Sequence, residues 1–178
     1  MKIKKVDPEI VNLIIKEGQD ILTSKNMLLE QTFVMHKGVT TFDHSIGVAY
    51  VAVNYIRKHH IKKVDLRSII RGALLHDFFL YDWHDHDKSH RFHGFIHAKR
   101  ALKNAEKEFS LNKVEKDIIV KHMFPLTLAL PCYKESFIVS LADKKCAIYE
   151  IRHKVAFKPV PMIKKKLFVY PNMLPNPA

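Results

Sequence analysis

At 178 residues, 47% of them hydrophobic and with no low-complexity run, the chain is one domain with a core large enough to fold alone, not a disordered or fibrous protein. A formal charge of +12 favours polyanionic partners and makes a phosphate-bearing substrate easier to accept than a cationic one. No apolar run approaches a membrane span, acidic residues and Pro8 interrupt the basic N-terminus, and two cysteines make no disulfide framework. These features point to a cytoplasmic protein.

The elements read as helices in chain order. Asp7 caps a first helix with Pro8 at its first position, running to about Leu22. A short second helix covers about Lys25 to Val34, and a loop HKGVTT follows. A helix capped at Thr41 or Asp43 then runs through FDHSIGVAYVAVNYIRKHH, apolar on most sides and therefore central. After a turn at Lys62–Val64, a helix from Asp65 carries an apolar stripe of Leu66, Ile69, Ile70, Ala73 and Leu74, whose next position is Asp77. The segment YDWHDHDKSHR reads as a surface loop. Helices follow over about Phe92–Phe109, from Asn112 with Glu115 three residues on, and over about Lys134–Val155. The body, 1–155, reads as all-α with no strand-like alternation, and 156–178 as an extended Pro/Lys-rich arm.

The pair His76–Asp77 carries the most chemistry. A carboxylate aimed into a core is costly to keep ionised, and no lysine or arginine lies one turn away on its face. A metal ion is the natural cation to meet it. Four more metal-competent residues stand on or beside apolar helical faces: His44 in TFDHSIG, His97 in FIHAKRAL, His122 in IIVKHM and Asp143 in SLADKKCA. Singly, His44 or His122 would read as hydrogen-bonded core histidines. Together the six occupy five separate predicted helices, the pattern of a buried site in a helical bundle. Imidazole and carboxylate without thiolate suit Fe, Mn, Co, Ni or Zn.

This order of His, His-Asp, His, His, Asp resembles the HD-domain superfamily of metal-dependent phosphohydrolases, over roughly residues 40 to 150. The resemblance implies an all-α HD bundle with the metal site at its centre and His76–Asp77 as the catalytic pair. It further implies one ion on His44, His76, Asp77 and Asp143, and a second on Asp77, His97 and His122, with Asp77 bridging. His93, one turn before His97, competes for that role, and the phrasing IHAxxAL favours His97. Two ions about 3.5–4 Å apart hold a bridging hydroxide and clamp phosphate oxygens during attack. The implied activity is hydrolysis of a phosphoester or phosphoanhydride in a nucleotide or small phosphorylated metabolite. One branch of small stand-alone HD hydrolases cleaves dinucleoside polyphosphates symmetrically.

The chain departs from branches that place a lysine shortly after the pair, since Phe78, Phe79, Leu80 and Tyr81 stand there. Arg71, Lys99, Arg100, Lys121 and Lys144 are the candidates for the phosphate-neutralising role. His36, Thr40 and Thr41 are candidates for the pocket mouth, and Asp82, Trp83 and His84 for contacts to a base or leaving group. Other readings are a non-catalytic module binding a nucleotide or metal, a nucleic-acid protein using Lys164–Lys166, and an oxygenase variant of the centre. Absence of an arginine-rich helix or aromatic RNA motif ranks the nucleic-acid reading low.

Overall fold

The structure, a computed structural model, describes residues 6–36, 38–81 and 93–169. Among these the chain is helical apart from one two-stranded ribbon, as an all-α reading requires. Helix α1 spans Pro8–Leu22, and the Asp7 side chain accepts the Glu9 N–H. Helix α2, Lys25–Leu29, is shorter than the sequence suggested. The β-branched and aromatic run Thr32–Phe33–Val34 prefers extended backbone, and Val34–His36 (β1) pairs antiparallel with Val39–Thr40 (β2). Gly38, at φ 85°, makes the turn between them.

Helix α3, Thr41–Lys58, starts from Thr40, whose hydroxyl accepts the Asp43 N–H, one residue before the expected cap. It is buried on almost every side and packs against α1, α4 (Leu66–Leu75), α7 (Lys134–His153) and α8 (Pro159–Val169). Helix α4 ends at Leu75, so His76 is its C-cap and Asp77 lies beyond it. The pair therefore closes the helix and is not inside it. Asn104, on α5 (His93–Glu108), donates to the carbonyls of Phe78 and Phe79 and holds the turn that follows.

Helix α6, Lys113–Lys121, opens with a full capping box between Asn112 and Glu115. It lies tightly on α4: a Cβ at Gly72 would come within 2.7–2.9 Å of three Ile118 side-chain atoms. The starts of α4, α6 and α7 are also tied together. Asn112 Nδ2 donates to Ser68 Oγ, Ser68 Oγ donates to Asp65, and the Asp65 N–H donates to Glu135.

The expected extended arm is instead partly a helix. Pro159 and Pro161 fall in the first turn of α8, where a missing N–H costs nothing, so they start the helix and do not break it. Val160, Ile163 and Leu167 at helical spacing are buried, and Lys164 pairs with Asp43 at 2.8 Å. No helix among the described residues is long and apolar enough to cross a membrane.

Candidate metal centre

The last carbonyls of a helix have no partner within it. In α4 and α6 the side chain that ends the helix supplies one. His76 Nδ1–H donates to Ala73 O at 2.8 Å, and His122 Nδ1–H donates to Ile119 O at 2.7 Å. Each bond fixes the proton on Nδ1, so a neutral ring leaves its Nε2 lone pair free and directed into the bundle. The negative ends of two helix dipoles meet at the same place, which favours a cation. The two rings lie 4.8 Å apart between centroids, edge to face.

The other side chains converge on these two nitrogens. His76 Nε2 is 3.1 Å from Asp77 Oδ2 and 3.9 Å from Asp143 Oδ1. His97 Nε2 is 2.8 Å from His122 Nε2, and both face Asp77 Oδ1, at 3.3 and 3.4 Å. His44, in the first turn of α3, sets Nε2 3.1 Å from Asp143 Oδ1 and 4.0 Å from Asp77 Oδ2. All six residues are buried, Asp143 least at 9% exposed. His76 Nε2 and Asp77 Oδ1 lack any contact with hydrogen-bond geometry, despite their close neighbours. Lone pairs and carboxylate oxygens crowded this way repel one another unless a cation stands among them. The ligand atoms of His44–His76–Asp77, of His76–His122–Asp143 and of Asp77–His97–His122 each lie within 4.8 Å of one another, so each group can hold a metal ion.

Residues 41–148 match the family model of the HD domain. The chain belongs to the HD domain family. Most members of that family are metal-dependent hydrolases, and HD domains bind divalent metals. No curated protein and no solved structure matches the chain. The donor set of this HD centre, four imidazoles and two carboxylates with no thiolate, fits a divalent transition ion.

The electrostatics of the HD centre follow from burial and neighbours. Burial opposes a charge on His44, but Glu150 and Asp143 outweigh it and hold its pKa well above 6.5. Burial also opposes ionisation of Asp77, and His76, His97 and His122 reverse that and keep it well below the usual carboxylate range. His122 is pushed the other way: burial, with His76 and His97 adding like charge, lowers it to about 3 against the pull of Asp77.

Sequence reasoning missed Glu150. It is wholly buried and accepts the His44 Nδ1–H at 2.7 Å, fixing the tautomer that leaves Nε2 for the centre. Its position was readable: Asp143, Cys146 and Glu150 fall on one face of α7 and all are buried, and an acid on such a face needs a partner.

Of the candidate phosphate-neutralising residues, the fold brings Lys144 to the centre. Its Nζ is 3.7 Å from Asp143 Oδ2 and donates to His122 O at 2.7 Å. Arg71 is engaged by Asp20 and Glu115, and Lys121 by Asp117 and Cys132, so neither is brought there. Arg100 sits over the Tyr81 ring, and Lys99 is exposed. Thr40 and Thr41 serve the start of α3, as cap and first residue. The side chains of His36 and His93, and all of Asp82, Trp83 and His84, lie outside the described residues.

Proposed function

We propose that the chain is a cytoplasmic HD-type phosphohydrolase with a two-ion centre, cleaving a phosphoester or phosphoanhydride of a nucleotide or other small phosphorylated metabolite. The observation that carries this reading is the division of Asp77. Its Oδ2 faces His44 and His76, and its Oδ1 faces His97 and His122. A carboxylate so divided is suited to bridge two ions, one completed by His44, His76 and Asp143, the other by His97 and His122. Bound there, divalent ions would neutralise phosphate charge and acidify a water molecule.

The chain's own residues prepare that chemistry. His76 and His122 are fixed by their helix ends, and His44 by Glu150, so the donors need no rearrangement to bind. Asp143, the most exposed of the six, marks the side open to substrate, and the Lys144 ammonium beside it can meet a phosphate oxygen. The +12 charge draws anionic substrates towards the protein.

Elemental analysis of wild type and His97→Ala tests this. About two transition-metal ions per chain, falling to about one in the variant, are expected, with release of phosphate from a nucleotide panel by the wild type. One ion in both proteins would leave a mononuclear hydrolase. No ion after reconstitution, and no hydrolysis, would overturn the proposal.

A further inference from the structure

The face of α7 turned away from the core is apolar along its length. Phe137, Leu141, Ile148 and Ile151 are 41–60% exposed, and Val155 just past the helix is 50% exposed. With Lys144 the four on the helix follow a 4-3-4-3 spacing, the 3.5-residue period that keeps one face of a helix against another helix. Lys144 does not interrupt this seam. Its ammonium folds inward onto His122 O and Ser140, so the seam meets its methylene stem.

Beside the seam, Leu126, Leu128 and Leu130 are 60–93% exposed. Between the two, Phe124, Pro125, Phe137 and Leu141 line a recess of about 450 Å³. Together these residues expose on the order of 900 Å², backbone included, against roughly 300–600 Å² for the largest patch on an ordinary monomer. That is close to the share of about 800 Å² that one partner gives to a standard interface.

The spacing also matches itself when reversed. An antiparallel copy related by a two-fold axis sets Leu141 against Ile151 of the second copy and the Lys144 stem against its Ile148. The contact is isologous and closes on itself. Flanking cations are held on their own chain, Lys145 over the Tyr55 ring and Lys134 on Lys62 O. We propose that the protein is a two-fold dimer through antiparallel pairing of α7 with α7 of a second copy. It shares Lys144 with the hydrolase reading, the stem lying in the seam and the ammonium at the centre.

Sedimentation of the full chain under reducing conditions, so that exposed Cys132 forms no bridge, tests it. The wild type should show twice the 20.8 kDa chain mass, and its association should tighten as salt screens the basic flanks. Ile148→Glu and, separately, Ile151→Lys should weaken association by about thirtyfold while helix content by circular dichroism and metal content stay as in the wild type. A wild type monomeric at about 200 µM, or variants that associate as tightly as it does, would overturn the proposal. So would a monomer that sediments with phosphatidylglycerol vesicles at low salt through the same residues, since the face would then dock on a bilayer.

Discussion

The two halves of the HD centre share Asp77 but are charged in opposite senses. Around His44 stand Asp77, Asp143 and, behind the ring, Glu150, and the imidazole is held well above its ordinary pKa. His97 and His122 face one carboxylate oxygen between them, and His122 is pushed down to about 3. The first half can be satisfied by a proton, because its carboxylates outnumber its imidazoles. In the second, His97 Nε2–H and His122 Nε2 can share one proton at 2.8 Å, and burial penalises adding another.

Two substitutions probe that contrast, and a third probes the buried Glu30 nearby. Asp77→Asn removes what the halves share and should have the largest effect. Metal content should fall for both ions and turnover by more than about a hundredfold, the upper end for losing an outer-shell partner. Retention of either ion would mean that the halves are independent. Glu150→Gln keeps an acceptor for the His44 Nδ1–H but removes the charge. It should weaken one of two steps in a cobalt titration by about 10–100-fold and leave the other unchanged. Equal weakening of both steps would mean that the two halves do not differ in this way.

The smallest effect belongs to Glu30. Its buried carboxyl accepts the Leu80 N–H at 3.2 Å, three residues beyond Asp77. Burial, aided by the charge of Asp77, raises its pKa from 4.5 to about 8 against that hydrogen bond. The folded chain therefore keeps a proton on Glu30 that the unfolded chain releases near 4.5. Its stability should fall as pH rises from about 4.5 to 8 and level off above that. Glu30→Gln should flatten this slope, raising the melting temperature at about pH 9 relative to wild type and leaving it nearly unchanged below pH 4.5. An unchanged slope would show that Glu30 titrates normally.

Much of this was legible in the residues. Caps at Asp7, Asp65 and Asn112 mark helix starts because a side-chain oxygen there meets an otherwise unpaired N–H, and three-residue and four-residue spacing marks the buried faces. The six metal-competent residues stood out because each placed a polar group where packing wants carbon. Features set by tertiary contact were harder to see. Nothing local shows that α4 stops at Leu75, since His76 ends it by reaching back to Ala73 O. Glu150 reads as one more surface acid on a long helix until α3 is laid against α7. The prolines of α8 suggest an open arm because composition does not reveal that both fall in one first turn.

The close crossing of α4 and α6 has a consequence beyond packing. Gly72 and Ile118, which touch there, each precede by four residues the histidine that ends their helix, His76 and His122. The gap between the two helices is thus a calliper, and the jaws are imidazole nitrogens. A methyl group at position 72 would meet Ile118 atoms at 2.7–2.9 Å, so the crossing would have to open or Ile118 to shift. Ligand distances differ between ions by a few tenths of an ångström, so Gly72→Ala would be expected to change which ion these nitrogens hold best.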